Sequence, residues 1–132
     1  MDNQLTALLV MPQERQSRLL RHLTGWDANI LTAASCGEAA QLLRDEPGVC
    51  LVLTDLSLPD GSWFDVLNRV GDVQRGAKVV VCAHVADERL WTQVLEAGGF
   101  DMLVEPYQDR EVQRILSAAA SGQSRQRLVA AS

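Results

Sequence analysis

Five times over, the chain alternates a short apolar run with a segment of helical period, and this alternation restricts its possible folds more than any other feature. Residues 7–11 (Ala-Leu-Leu-Val-Met) form a continuous apolar run of strand length. Behind them Leu19, Leu20 and Leu23 recur at helical spacing among Gln and Arg residues, and Gly25 ends the segment. Residues 29–33 read as a second strand. Ser35 then opens Ser-Cys-Gly-Glu, a capping box closed by Glu38, with Ala39, Leu42 and Leu43 on one helical face and Pro47-Gly48 as the stop. Residues 49–53 (Val-Cys-Leu-Val-Leu) are apolar on both faces, as a central parallel strand covered by helices should be. The turn Leu58-Pro59-Asp60-Gly61 leads to a helix carrying Val66, Leu67 and Val70. Residues 79–82 give a fourth strand, followed by a helix with Leu90, Val94 and Leu95 that closes at Gly98-Gly99. Residues 102–104 give a fifth, and after Pro106 the residues Val112, Ile115, Leu116 and Ala119 mark the inner face of a last helix.

Such an order implies an α/β domain: a doubly wound, flavodoxin-like (βα)5 parallel sheet with right-handed crossovers and strand order 2-1-3-4-5. With 132 residues the chain holds one domain, expected over residues 1–120. Residues 121–132 are left as a tail, a frayed helix end or a linker stump. The net charge of −5 argues against general binding to nucleic acid or anionic lipid. Residues 106–132 carry four arginines (Arg110, Arg114, Arg125, Arg127) against two acids, which reads as a solvated helix face or as a contact for nucleic acid or an acidic partner. Three widely spaced cysteines (Cys36, Cys50, Cys82), with no CxxC pair, fit reduced thiols rather than a disulfide frame or zinc site. With no apolar run of membrane-spanning length and no secretory leader pattern, a soluble, cytoplasmic protein is expected. No Gly-rich phosphate loop, HExxH or nucleophile elbow is present.

In an open α/β sheet, ligands bind beyond the carboxyl ends of the strands, at the switch point between the first and third. The residues delivered there are Met11-Pro12-Gln13, Thr54-Asp55-Leu56, Cys82-Ala83-His84 and Glu105-Pro106. Asp55, one residue beyond the apolar run 49–53, is either a functional carboxylate in the crevice or an acceptor for loop hydrogen bonds.

From about Thr6 to Ala120 the sequence resembles the receiver domain of two-component response regulators, most specifically in LVLTDLSLPDG around Asp55 and ADERLWTQVLEAGGFDMLVEPY from Ala86 to Tyr107. The resemblance implies a flavodoxin-like fold and a phosphoryl group passing from a histidine kinase to Asp55. It also implies an acidic pair holding Mg²⁺ at the end of the first strand. A Thr or Ser ending the fourth strand, and a Lys before the Pro after the fifth, would contact the phosphoryl oxygens. Most of that apparatus is replaced here. The acidic pair matches Met11 and Pro12, followed by Gln13, and none of these offers the carboxylate oxygens that Mg²⁺ favours. Glu14 lies one residue further. The hydroxyl position matches Cys82 or, one residue on, Ala83. The Lys position holds Glu105, so a cation that would attract a phosphoryl group becomes an anion that repels it. Two unit charges about 5 Å apart at an effective dielectric near 20 interact by roughly 3 kcal/mol.

The expectation is therefore a degenerate receiver that signals by protein contacts, with Asp55 retained but its Mg²⁺-dependent phosphorylation lost or weak, no cofactor and no catalysis. One rival is a phospho-accepting receiver in which water, Glu14 or Glu105 rebuilds a Mg²⁺ site. Another is a flavodoxin-like ligand-binding or enzymatic domain using the same crevice. Expected partners are a histidine kinase or another signalling protein, or a second copy docking through the face of helix four, strand five and helix five; neither nucleic acid nor membrane is expected. Trp91 and Tyr107, matching that face, are interface candidates, against the alternative that they serve packing; Trp63 stands with them. Asp55 and Glu105 can approach each other, or Glu105 can turn outward or pair with a base. His84 either covers the crevice or is ordinary surface, and His22 reads as surface.

Overall fold

A computed structural model describes residues 5–26, 28–73 and 76–120. The elements follow in the order β1 (Leu5–Val10), α1 (Gln13–Leu20), β2 (Ala28–Ala33), α2 (Cys36–Asp45), β3 (Leu51–Asp55), α3 (Trp63–Val73), β4 (Lys78–Ala83), α4 (Glu88–Glu96), β5 (Asp101–Val104) and α5 (Asp109–Ala120). The five strands make one parallel sheet in the order β2-β1-β3-β4-β5. This is the flavodoxin-like arrangement expected from the alternation of runs. One addition is a two-stranded antiparallel ribbon, Ser57–Leu58 with Gly61–Ser62, so β4 and β5 are the sixth and seventh strands along the chain. The anticipated turn at Pro59-Asp60 is the tip of this ribbon.

Two apolar layers cover the sheet. On one face Leu19 of α1 and Val112, Ile115 and Leu116 of α5 close over Leu9, Leu51, Leu53, Val80 and Leu103. On the other, Ala39 and Leu43 of α2 and Val66 and Val70 of α3 close over Leu8, Val10, Val52 and Val79. All five residues of β3 are buried, which is why both of its faces had to be apolar up to Thr54. The strand is displaced from its expected span: it runs to Asp55 and leaves Val49 and Cys50 before it, so Asp55 ends the strand rather than following it. Register explains the shift, because Leu51 pairs with Ala7 and the ladder ends with Val10 opposite Thr54.

Local chemistry sets the ends of the helices. Ser35 Oγ accepts from Glu38 N–H at the start of α2, while Glu38 Oε1 accepts from Ala34 N–H one residue outside the usual capping box. The same helix end is held from afar by Asp60, whose carboxylate oxygens accept from Cys36 N–H at 2.8 Å and Gly37 N–H at 3.0 Å. These bonds hold the Asp60 carboxyl below the usual range, the one to Cys36 N–H contributing most. At Gly61 an added Cβ would lie 2.5 Å from Asp65 Oδ2 and 2.9 Å from Cys36 Sγ, so a side chain there would push those of α3 and α2 aside. Gly98, at φ +104°, turns the chain out of α4, with Gly99 N–H returned to the Val94 carbonyl at 2.8 Å.

Residues 121–132, read from the sequence as tail or linker, lie outside the described residues, as do Arg125 and Arg127. Among the described residues, no helix is long and apolar enough to cross a membrane.

Candidate functional site at the carboxyl edge of the sheet

Asp55 stands at the carboxyl end of β3, beside the point where the chain leaves β1 for one half of the sheet and β3 for the other. It is buried, at 7% exposure. Its Oδ1 accepts from Leu56 N–H at 2.8 Å, and its Oδ2 lies 2.8 Å from Arg15 Nε. Arg15 comes from the first turns of α1, and its side chain is only 7% exposed. The guanidinium also reaches Glu105, with Nη1 3.2 Å from Oε2, and the same nitrogen lies 2.7–2.8 Å from the His84 ring nitrogens. Because guanidinium carries only donors, the imidazole takes that bond through a lone pair. Arg18, one turn further along α1, is 3.3 Å from Glu105 Oε1, and His84 Nδ1 is 3.4 Å from the same oxygen.

Thus Asp55 and Glu105 do converge, as one of the sequence readings allowed, but through an arginine placed between them. Glu105 faces inward and pairs with bases. Arg15 was not among the candidates. Its signal was present all the same: Met11, Arg15, Leu19 and Leu23 step by four, so a charge sits on the buried stripe of α1. A buried arginine on such a stripe requires an anionic partner.

The remaining candidates fall into place around this cluster. Met11 is fully buried in the layer under α1 and α5; its N–H donates to the Ala33 carbonyl and its own carbonyl accepts from Gln16 Nε2 at 2.8 Å. Pro12, half-buried, precedes α1, and its carbonyl accepts from Arg15 and Gln16 N–H. Gln13 and Glu14 are exposed. Ala83 ends β4, and its carbonyl accepts from Glu105 N–H at 2.9 Å. Cys82, opposite Asp55 in the register, points into the core, where burial pushes its thiol up to about 12. Tyr107 is buried beside it, and burial, more than any neighbour, raises the phenol as well. Tyr107, an interface candidate with packing as its alternative, is buried, with its ring edge-on to His22 at 6.0 Å. His22 is likewise not simple surface: it is half-buried and its Nδ1 is 2.5 Å from Asp109 Oδ1. Trp91 is half-buried on the α4–β5–α5 face, its Nε1 donating to Asp101 Oδ1 at 3.5 Å. Trp63 stacks edge-on with the exposed Phe64.

The donor set does not suit Mg²⁺, which requires several hard oxygens in near-octahedral array. Both Asp55 oxygens are engaged, one by a backbone N–H and one by a resident cation, and Glu105 is held by two arginines. The thioether and proline at the end of β1 supply no oxygen ligand. Among the described residues, no group of three His, Cys, Asp or Glu side chains is placed to hold a metal ion. What the arrangement does chemically is neutralise a buried carboxylate with a cation from its own chain.

Comparison with known proteins gives the lineage. No family model matches. Two-component response regulator ORR5 of Oryza sativa subsp. japonica is 31% identical over 91 residues, covering 66% of this chain and 67% of the relative. Transcriptional regulatory protein DpiA of Escherichia coli K12 is 29% identical over 107 residues, covering 77% of this chain but 46% of that protein. The signal receiver domain of an HD domain-containing protein from Pseudomonas fluorescens Pf-5 superposes with a TM-score of 0.81 at 22% identity, over 92% of this chain and 90% of that one. The CheX–CheY–BeF3–Mg²⁺ complex from Borrelia burgdorferi matches with a TM-score of 0.76 at 23% identity, over 86% of this chain and 88% of that one. By fold, by the aspartate ending β3 and by these relatives, the chain belongs to the two-component response regulators, as a receiver domain.

Proposed function

We propose that this receiver domain signals through protein contacts, with Mg²⁺-dependent phosphorylation of Asp55 impaired or lost. The observation that carries the proposal is the buried Arg15 guanidinium, 2.8 Å from Asp55 Oδ2. Phosphoryl transfer needs a free carboxylate oxygen as nucleophile and a surplus of positive charge to receive a dianion. Here the positive charge is already shared between two carboxylates. A phosphoryl group on Asp55 would add negative charge next to Glu105, at a cost of roughly 3 kcal/mol for charges about 5 Å apart. Displacing Arg15 to admit a metal would leave a buried cation unpaired.

The partner is then a histidine kinase or another signalling protein, or a second copy docking on the α4–β5–α5 face, where Trp91 stands half-buried. A structural neighbour is itself a complex of two proteins, CheX and CheY. The role is binding rather than catalysis, and three unpaired cysteines support a reducing, cytoplasmic location.

Intact-protein mass after incubation with acetyl phosphate and Mg²⁺ tests the reading. The expected spectrum holds only the unmodified chain. A stoichiometric phosphoryl adduct that vanishes in Asp55→Asn would overturn it and establish a phospho-accepting receiver.

A further inference from the structure

Next to the Asp55 cluster, an open cleft of about 580 Å³ lies between α1 and the segment after β5. Its walls are Arg18, Arg21, His22, His84, Glu105, Pro106 and Tyr107. In a chain of net charge −5, both histidines and two of the twelve basic residues surround this one cleft. The acid on its wall, Glu105, is paired with Arg15 and Arg18, and His22 is paired with Asp109. Arg21 is exposed and enters none of the ion pairs found among the described residues. Behind the wall the buried Arg15 is balanced by Asp55 and Glu105, and among the described residues its Nη2 has no hydrogen-bond partner. Arg21 is thus a cation on the wall that meets no acid among the described residues, and the cleft's volume falls in the range of small-molecule sites.

A bland account exists for part of this. Arg18, Arg21 and His22 lie at the C-terminal end of α1, where cations complement the helix dipole. That account covers neither His84, which comes from the loop after β4, nor the concave shape with Pro106 and Tyr107 as an apolar wall.

We infer that this cleft binds a small organic anion, its phosphate or carboxylate head held by Arg18, Arg21 and His84 and its flat apolar body against Pro106 and Tyr107. Two guanidinium groups favour an oxyanion that accepts paired bonds, and the apolar wall favours an aryl or similar planar substituent. The cleft adjoins the Asp55 cluster, sharing Arg18, His84 and Glu105 with it, but does not include Asp55 and requires no covalent step.

Titration of the full chain with phenyl phosphate, followed by calorimetry and by NMR of the histidine rings, is the test, with sodium chloride at matched ionic strength as the control. Saturable one-to-one binding with a Kd at or below about 1 mM is expected, shifting the His22 and His84 ring signals. Inorganic phosphate, lacking the apolar body, should bind about tenfold more weakly. The double variant Arg18→Ala, Arg21→Ala, both surface positions, should lose about tenfold or more in affinity while melting as a folded protein. No saturable binding, equal binding by the double variant, or binding only to an acidic polypeptide such as polyglutamate would each overturn the inference; the last would assign the cleft to a macromolecular partner.

Discussion

Two buried aspartates stand at opposite edges of the same sheet, and they are neutralised in different ways. Asp55 ends β3 at the carboxyl edge, while Asp101 begins β5 at the amino edge. Both use Oδ1 to accept from the N–H of the following residue at 2.8 Å, Leu56 in one case and Met102 in the other. Both also take an arginine from a neighbouring helix. At Asp101 that arginine is Arg114 of α5, 3.2 Å away and nearly half exposed, assisted by Trp91 Nε1 and further paired with Glu111. At Asp55 it is Arg15, buried and shared with Glu105. Water can replace Arg114, because its guanidinium already meets solvent. Among the ion pairs of the described residues, Arg15 alone meets Asp55. A shared local motif thus gives a solvated structural tie at one edge and a dry, balanced ion cluster at the other.

The largest effect expected from this contrast is at Arg15. Arg15→Ala leaves the buried Asp55 carboxylate without its cation, beside a Glu105 still held by Arg18, and should destabilise the fold by about 3–5 kcal/mol, measured by urea unfolding. A loss below about 1 kcal/mol would mean that water or Arg18 rescues the crevice, and the distinction between the two edges would collapse. A smaller effect is expected at the other edge. Arg114→Ala should cost no more than about 1 kcal/mol and should shrink further in high salt, because the pair it breaks is partly exposed.

The smallest effect is one of pH, at a third aspartate. Asp60 is exposed, and its folded-state pKa is lowered below 3.8, chiefly by bonds to the first N–H groups of α2. A depressed acid contributes stability that is present above its unfolded pKa and is lost as pH falls through the folded one. Unfolding midpoints should therefore drop as pH falls below about 4, and Asp60→Asn should reduce that slope. An unchanged slope would show that α2 is held by Ser35 alone.

Most of the architecture could be read from apolar periodicity. Strand-length runs fell within about two residues of the strands, the first running 5–10 instead of 7–11. The Ser35 cap, Gly98-Gly99 and the inner stripe of α5 lie where the pattern placed them, because burial on one or both faces forces composition directly. Boundaries were less secure at β3, where Val49 and Cys50 are as apolar as the strand but lie outside its ladder. Register is a property of two strands, not of one. The positions expected at the carboxyl edge, Asp55, His84 and Glu105 among them, are brought together there.

The occupant of the crevice could not be found that way. Arg15 is one arginine in a run of polar residues, and its partners lie far along the chain: His84 is 69 residues away, and Glu105 is 87 from neighbouring Arg18. His22 likewise looked like surface until α5 brought Asp109 to it. Apolar spacing fixes which face of each element is buried, and so yields the sheet, its order and the carboxylate at the end of β3. Which charges meet at that edge depends on crossovers that close over tens of residues and on side-chain paths a few ångströms long. Coulomb energies fall with distance and rise as water leaves, so the balance at Asp55 exists only once the helices are docked.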